Sequence, residues 1–325
     1  MIPVGVVGVG SMGRHHARVY RELPGAKLVG IHDADEKRAA GVAAEQGTNA
    51  MPLGELLDAV EAVSVVVPTG HHRAVAEAAT EAGVSLLVEK PLAPTPRDAR
   101  AIVDTAEEAG VTLQVGHVER FNPAVQAVSE FADELDIVAL EAQRLGPPVD
   151  RAGDDGAVMD LMIHDIDIAL SLLDGPVVDV RTTGTAAGEH VTSMLTFDNG
   201  SVATLTASRI TQKKVRTLAL TAEDCRVDVD YTAQDVTITR RTTPEYVEAN
   251  GGLRFRSETV VERPTVNNGE PLKAELASFV DSVREGTPPE VTGEDGLRAL
   301  EVAGRVLDSV APESGIEWVD QPTHS

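Results

Sequence analysis

The amino-acid sequence predicts an α/β protein of two domains: a doubly wound parallel sheet, then an α/β domain with a large, open-faced, mainly antiparallel sheet. Up to about residue 118, short apolar runs alternate with longer segments rich in Ala and Glu, which is typical of a parallel sheet covered by helices on both faces. Beyond that point, Thr and Val recur with period two, which indicates strands with one solvated face. A chain of 325 residues is long enough for two such domains.

The first half contains five buried strands with helices between them. The segment 97–110 is a clear helix, because it ends at Gly110 and glycine commonly terminates helices. The change in composition places the domain boundary near residue 120, so that the first domain spans residues 1–119 and the second spans 120–325. The predicted strands cover residues 4–10, 27–33, 62–68, 84–91 and 111–117.

The second half begins with a helix and continues as an antiparallel sheet. The segment 193–209 is predicted to be a hairpin, because Asn199-Gly200 is a strong turn signal between two alternating runs. Residues 145–156 and 267–271 are rich in Pro and Gly and are predicted loops. Further strands are predicted at 217–222, 225–231 and 235–241, and closing helices at 271–286 and 293–310.

The charge balance excludes several classes of partner. With 28 Lys and Arg against 52 Asp and Glu, the net charge is −24, so we expect the protein to bind neither nucleic acid nor an anionic membrane surface. No apolar run approaches the roughly 18 residues that a membrane span requires. The chain enters a strand pattern at once, without a signal peptide, which predicts a cytoplasmic protein. The single cysteine, Cys225, excludes an internal disulfide.

The basic residues are mostly arginine, with only six lysines. An acidic surface poor in lysine is similar to that of proteins from salt-accumulating halophiles. The negative charges on such a surface repel one another in dilute buffer. Near 1 M salt the screening length falls to about 3 Å, and the repulsion largely vanishes. We therefore predict a halophilic source and a protein whose stability rises with KCl.

A glycine-rich turn follows the first predicted strand. Gly8, Gly10 and Gly13 fit the pattern G-x-G-x-x-G, with Ser11 and Met12 inside it. A strand leads into this turn and a helix leads out, which is the context of a Rossmann dinucleotide-binding site. The glycines permit a tight turn and let the backbone approach a pyrophosphate, which binds at the helix N-terminus. We predict that these five residues bind the cofactor; a purely structural glycine turn is the alternative.

An acidic residue, Asp33, closes the second predicted strand. Its carboxylate can accept hydrogen bonds from the adenosine ribose hydroxyls and repels a 2′-phosphate, so NAD is favoured over NADP. Arg38, five residues later, can stack on the adenine or tolerate a phosphate, which weakens that preference. His15 and His16 in the exit helix are predicted to be packing or surface residues.

The predicted helix at 158–175 is apolar apart from a narrow polar stripe. At about 100° per residue, Asp160, His164 and Asp167 lie on a stripe only about 60° wide. Such a stripe is consistent with a solvated face, with the wall of a cleft or with metal ligands. Asp165 points to the apolar side and needs a partner such as an arginine. Asp167 is expected to orient His164, to contact substrate or to be solvated.

Further motifs make the chain similar to a known enzyme family. After the glycine fingerprint come the segment 65–72 (VVVPTGHH), Glu89-Lys90-Pro91 after the fourth strand, and the Asp-x-x-x-His helix of the second domain. With these motifs in this order, the chain resembles the glucose-fructose oxidoreductase/inositol dehydrogenase/MocA family from end to end. The resemblance implies a Rossmann domain followed by a domain whose open sheet makes homodimer or homotetramer contacts.

The resemblance also implies roles for individual residues. Lys90 lies beside the nicotinamide and the substrate hydroxyl, Asp160 binds substrate and His164 accepts the proton. These roles agree with the chemistry, because oxidation of a secondary alcohol needs a base that works near neutral pH and positive charge where alkoxide character develops. We predict no metal in this site. The further cofactor contacts that the resemblance implies are Pro68, Thr69, His72 and Glu89.

The resemblance implies oxidation of a secondary hydroxyl of a sugar, an inositol or a derivative of either. The segment 115–125 is similar to a variant in members that act on nucleotide sugars such as UDP-N-acetylglucosamine, for which Arg120, Arg144 or Arg209 would supply charge for the diphosphate. Arg120 and Asn122 can also be interpreted as a cap and hinge between the domains. The alternatives are an inositol or simple aldose dehydrogenase and, in another class, a non-catalytic NAD-binding sensor.

Overall fold

A computed structural model describes residues 1–148, 156–241, 245–249, 252–256 and 258–310. Within these residues the chain forms a six-stranded sheet followed by an eight-stranded sheet. This arrangement confirms the predicted fold class. Part of the predicted loop at 145–156 lies outside the described residues.

All strand pairs of the first sheet are parallel, in the order β3-β2-β1-β4-β5-β6. The chain order reverses between β1 and β4, and this reversal opens a crevice at the carboxyl ends of the strands, where α/β proteins of this type bind ligands. The strands are β1 (Ile2–Val7), β2 (Ala26–His32), β3 (Asn49–Ala50), β4 (Ala62–Val65), β5 (Ser85–Glu89) and β6 (Leu113–Gly116).

The helices between these strands begin and end where the local sequence dictates. Thr95 caps α5 by accepting the Asp98 N–H, and a left-handed Gly110 (φ 66°) ends it, as predicted from the sequence. Asp35 caps α2 by accepting the N–H groups of two residues in its first turn. The helices are α1 (Ser11–Glu22), α2 (Glu36–Gln46), α3 (Leu53–Ala59), α4 (His72–Glu81) and α5 (Pro96–Ala109).

The second sheet has the order β16-β13-β12-β11-β7-β10-β9-β8. Only the β10–β7 pair is parallel among the pairs in this sheet that the structure describes. A separate β14–β15 pair (Glu245–Ala249, Gly252–Arg256) precedes β16. The sheet strands are β7 (Ile137–Leu145), β8 (Val177–Gly184), β9 (His190–Phe197), β10 (Val202–Ser208), β11 (Val215–Ala222), β12 (Cys225–Asp230), β13 (Asp235–Arg241) and β16 (Thr259–Glu262).

Period-two alternation gives this sheet one buried and one open face. In β9 and β10, Leu195 and Leu205 are fully buried, whereas Met194, next to Leu195 on β9, is 40% exposed. The predicted hairpin is confirmed, because β9 and β10 pair across Asn199-Gly200 and Gly200 has a positive φ of 89°. Strands β7, β8 and β16 were not among the predicted strands.

The predicted helix at 158–175 has two parts. A π-helical turn over Val158–Met162 leads into α7 (Ile163–Leu172). Helix α6 (Pro123–Ala132) precedes β7. Because a π turn contains more residues than an α turn, the positions of Asp160 and His164 differ from those on a uniform α-helix.

Of the two C-terminal helices, α8 (Pro271–Glu285) packs on the first sheet and α9 (Gly293–Ser309) packs on both sheets. Leu276 and Phe279 of α8 pack in the core beside β1 and α1. Leu300 of α9 packs with the other face of the first sheet, while Val306 packs in the core of the second. The cores of the two sheets therefore share a helix. In the described part of the chain, no helix has the length and apolarity needed to cross a membrane.

Candidate active site

A cavity of about 730 Å³ lies at the carboxyl ends of β1, β2 and β4. The glycine turn forms one wall. A Cβ on Gly13 would lie 1.9 Å from the Gly8 carbonyl oxygen, so the third glycine permits close packing of α1 on the turn. A Cβ on Gly10 would meet no atom within 4 Å, so this side of the turn is open to a ligand. Gly10 is the residue before α1, and no side chain caps this helix. The free N–H groups in the first turn of α1 therefore suit a phosphate.

The carboxylate of Asp33 is fixed in the cavity wall by two backbone hydrogen bonds. It accepts the Val9 N–H at 2.8 Å and the Asp35 N–H at 2.8 Å. Arg38 places one guanidinium nitrogen 3.7 Å from the same carboxylate. In this arrangement the remaining lone pairs of Asp33 are available to accept the ribose hydroxyls of a dinucleotide, if its adenosine end binds in this cavity.

The structure brings some of the predicted cofactor residues to the cavity and leaves others at its edge. Ser11, Met12 and Gly13 form the first turn of α1, and Thr69 lies between two lining residues, Pro68 and His71. The predicted residues that line the cavity directly are Gly8, Gly10, Asp33, Arg38 and Pro68.

His72 is not among the lining residues. Its ring is buried, with Nε2 2.9 Å from the Val67 carbonyl oxygen and Nδ1 3.1 Å from that of Pro91. Burial lowers its pKa despite these carbonyl contacts. The ring thus connects the segments after β4 and β5, while the neighbouring His71 lines the cavity instead. The sequence reasoning missed His71, because two adjacent histidines carry no signal for which one faces the ligand.

Glu89 does not line the cavity and makes a buried contact with a histidine. Its Oε1 lies 3.0 Å from His16 Nε2, and its Oε2 accepts the Lys90 N–H at 3.2 Å. Burial alone would raise the pKa of Glu89, but the hydrogen bond and charge of His16 and the charge of Lys90 lower it. His16 is fully buried, in agreement with the predicted packing role, yet sequence reasoning did not foresee its contact with Glu89.

Lys90 and Asp160 meet across the two sheets. The Lys90 ammonium donates to the Asp160 main-chain oxygen at 2.8 Å and lies 3.5 Å from its carboxylate. Burial lowers the pKa of Lys90, although Asp160 and Glu89 act in the opposite direction. The other oxygen of the Asp160 carboxylate is 3.1 Å from a guanidinium nitrogen of Arg209. The two cations together hold the Asp160 carboxylate in place.

His164 follows Asp160 on the same polypeptide segment, and its buried surroundings favour the neutral imidazole. Burial, and then the positive charges of Lys90 and Arg144, hold its pKa well below the ordinary value. Its Nδ1 is buried without a hydrogen-bond partner among the described residues. The ring of His117 stands edge-on to that of His164, with centroids 6.4 Å apart. His117 was not predicted, although it directly follows β6, at the end of the sheet where sites form.

The two further carboxylates of α7 are structural. Asp165 forms a bidentate pair with Arg144 at 2.8 and 3.0 Å, so the expected arginine partner is present. Asp167 is fully buried and pairs with Arg120 at 2.7 and 3.0 Å, so it is not solvated. These pairs engage two of the three arginines considered for a diphosphate. Asn122 caps α6 by accepting the Ala124 N–H, as its interpretation as a cap requires.

Two family models match the chain. A model for an oxidoreductase family with an NAD-binding Rossmann fold matches residues 2–117, and one for the C-terminal domain of the same family matches residues 138–229. The chain belongs to the Gfo/Idh/MocA oxidoreductase family. Membership confirms the predicted class: the protein is an oxidoreductase that uses NAD, and the open glycine turn fits that cofactor.

Curated relatives of this Gfo/Idh/MocA protein are dehydrogenases. UDP-N-acetylglucosamine 3-dehydrogenase of Acidithiobacillus ferrooxidans is 36% identical over 94% of this chain and 96% of its own. D-apiose dehydrogenase of Paraburkholderia graminis is 30% identical over 91% of this chain and 84% of its own. A solved structure of the Acidithiobacillus enzyme superposes with a TM-score of 0.85, covering 95% of this chain and 97% of that one.

Proposed function

We propose that the protein oxidises a secondary hydroxyl group of a sugar or sugar derivative, using Lys90, Asp160 and His164. The observation that carries the proposal is the contact between the Lys90 ammonium and Asp160, at 2.8 Å to its main-chain oxygen, because it joins the nucleotide domain to the helix that bears His164. The dehydrogenase relatives at 36% and 30% identity support a sugar-type substrate. NAD supplies the hydride acceptor when bound.

The three residues divide the work. His164 is neutral because its pKa is held well below the ordinary value by burial and by neighbouring positive charges, so it can take the hydroxyl proton. Lys90 is the positive charge beside the developing alkoxide, and preorganised charge of this kind stabilises a transition state strongly. Asp160 is fixed by Lys90 and Arg209, and its carboxylate can orient the substrate by accepting hydroxyl groups.

We also propose a cytoplasmic protein that forms a homodimer or homotetramer through the open face of the second sheet. Exposed apolar side chains on the strands of that sheet support the proposal, including Val178 at 57% and Met194 at 40% exposure. A second candidate substrate class is the inositols, because an inositol 2-dehydrogenase of Rhizobium meliloti is 26% identical over 96% of this chain.

The test measures NADH formation from a panel of inositols, simple sugars and nucleotide sugars. Lys90→Met and His164→Asn should each lower kcat by about 10²-fold or more, because each removes a group that acts on the reacting hydroxyl. NADH binding, measured by fluorescence, should persist in both variants.

Matched controls are Lys27→Met and His15→Asn, which alter an exposed lysine and an exposed histidine outside the site. Both should keep full turnover. If the Lys90 and His164 variants also kept full turnover, the assignment of these residues would be wrong. If the wild-type protein bound NAD tightly but oxidised nothing in the panel, the proposed substrate class would be wrong.

A further inference from the structure

The loop between β10 and β11 is strongly basic in a strongly acidic protein. The basic loop, residues 209–216, comprises the connection 209–214 and the first two residues of β11. It contains Arg209, Lys213, Lys214 and Arg216 and no acidic residue, whereas the whole chain carries −24. Two of the six lysines lie side by side in this segment. Local positive charge in such a chain is unusual and needs an explanation.

Both ends of this basic loop lie at the candidate active site. Arg209 contacts the Asp160 carboxylate at 3.1 Å. Arg216 donates to the Leu145 carbonyl at 2.6 Å, and its charge is one of those that lower the pKa of His164, after burial and the nearer cations. In the middle of the loop, Thr211 donates its N–H to the Gly146 carbonyl at 3.0 Å. The loop is therefore held against the end of β7, beside the residues proposed to act on the substrate.

Arg209 is paired with Asp160, and the carboxylates of Asp165, Glu119 and Asp160 act on Arg216. The uncompensated charge of the loop is therefore that of Lys213 and Lys214. Within the described part of the chain, Lys213, Lys214 and Arg216 make no ion pair with a carboxylate. Many other cations of the protein do have such partners, for example Arg73 with Asp98 at 2.9 Å. The side chains of Lys213 and Lys214 are exposed. Unpaired cations beside a site provide a binding place for an anion, which the rest of this surface would repel.

We propose that the basic loop, residues 209–216, binds the diphosphate of a nucleoside diphosphate sugar whose sugar ring lies against Lys90 and His164. The inference rests on the proposed function and names its substrate class. A phosphate on the anomeric carbon is separated from the reacting hydroxyl by no more than one sugar ring. Arg209 is similarly close to the proposed substrate-binding residues, because it contacts Asp160. Two phosphates need several N–H donors, and Arg and Lys both serve phosphate in proteins. Lys213 and Lys214 extend the donor set beyond what a single phosphate needs.

The first experiment measures binding without turnover. UDP is titrated into the NADH-loaded protein by calorimetry, for the wild type and for Lys213→Ala/Lys214→Ala. We expect the Kd for UDP to rise about tenfold or more in the double variant, because charge-assisted contacts to phosphate are lost. The matched control, Lys27→Ala/Lys273→Ala, removes the same charge from exposed positions on β2 and α8 and should leave the Kd unchanged.

The second experiment compares N-acetylglucosamine, its 1-phosphate and UDP-N-acetylglucosamine as substrates. In the wild type, kcat/KM should rise with each added phosphate, and the advantage of the nucleotide sugar over the free sugar should fall about tenfold in Lys213→Ala/Lys214→Ala.

Equal UDP affinity in the two double variants, or no affinity of the wild type for UDP, would overturn the inference. Oxidation of inositols or free sugars without UDP binding would leave the proposed function intact and overturn only the diphosphate site. UDP binding that depends on the loop, without oxidation of any sugar, would support the site and contradict the proposed function.

Discussion

At the residue scale, the electrostatics of His164 determine the pH range of activity. The base must be neutral to accept a proton, and burial followed by the charges of Lys90, Arg144, His117 and Arg216 lowers its pKa well below the ordinary value. Activity is therefore present above that lowered pKa and is lost as pH falls through it. We predict that kcat/KM stays constant down to pH values below about 6.5, the usual histidine value.

This prediction is checked by the pH profile of kcat/KM for the wild type and for Arg216→Met. The variant lacks one of the positive charges that act on His164, so the pKa of His164 should rise. The acidic limb of the kcat/KM profile should therefore move to higher pH. An acidic limb of the wild type at or above the usual histidine pKa would contradict the assigned environment of His164.

Asp33 should determine the choice between NAD and NADP. Asp33→Asn keeps an oxygen that can accept the Val9 N–H but lacks the charge that repels a 2′-phosphate. We predict that the ratio of kcat/KM for NAD over NADP falls about tenfold in this variant, as measured with both cofactors. Asp58→Asn, which neutralises an exposed carboxylate on α3, is the control. An unchanged ratio in Asp33→Asn would show that the carboxylate does not face the ribose.

At the element scale, the sequence predicts the strands and helices that are determined by local residue patterns. Strands β1, β2, β4, β5 and β6 and the β9–β10 hairpin are local patterns of burial and turn chemistry, and the structure contains them within a few residues. The two-residue strand β3 was not predicted. Strand β7 (IVALEAQRL) was not predicted, because one of its buried positions is Arg144, and a charged residue at a buried position breaks the apolar alternation begun by Leu140 and Ala142. The buried Arg144 is stable there because the carboxylates of Asp165 and Glu119 reach it from other parts of the chain.

The candidate site could be predicted only where a motif fixes the backbone. The glycine turn and Asp33 meet at one cavity, because a strand, a turn and a helix N-terminus place them there. By contrast, His71 faces the cavity and His72 is buried because the His72 ring contacts carbonyl groups near Pro91. The π turn before α7 also has no signature in residue periodicity. His117 and Arg209 become neighbours of the site only through tertiary packing.

Helix α8 carries a buried carboxyl group that should make stability depend on pH. Glu275 is fully buried, and neither of its carboxyl oxygens has a partner among the described residues. Burial, and then the charges of Glu89 and Asp167, raise its pKa well above the ordinary value. The folded protein therefore keeps Glu275 protonated where the unfolded chain ionises it. The stability linked to this group is full below the unfolded pKa and is lost as pH rises through the folded pKa.

We predict that the Tm of Glu275→Gln minus the Tm of the wild type increases as pH rises from about 5 to about 8, since the amide cannot ionise. The measurement is thermal unfolding across this range. Glu285→Gln, at an exposed position on the same helix, should show no such trend. A Tm difference between Glu275→Gln and the wild type that stays constant with pH would mean that Glu275 is not protonated in the folded protein.

At the scale of the whole molecule, helix α9 connects the two lobes that carry the two halves of the site. Lys90 comes from the first sheet and His164 from the segment that packs on the second, so their alignment depends on the packing between the two lobes. Helix α9 supplies buried residues to both cores. This shared packing supports one fixed geometry between the proposed proton acceptor and the Lys90 ammonium.

The net charge of −24 should make the stability of the whole molecule depend on salt. Like charges repel more strongly in the compact state than in the unfolded chain, and salt screens this repulsion. We predict that Tm at neutral pH rises from dilute buffer to about 2 M KCl, where the screening length is below about 3 Å. The same salt series near the sequence pI of about 4.7 is the control, because most of the net charge is neutralised there. A Tm that rises equally at both pH values would reflect salting-out of apolar surface, and an unchanged Tm at neutral pH would contradict the halophilic interpretation.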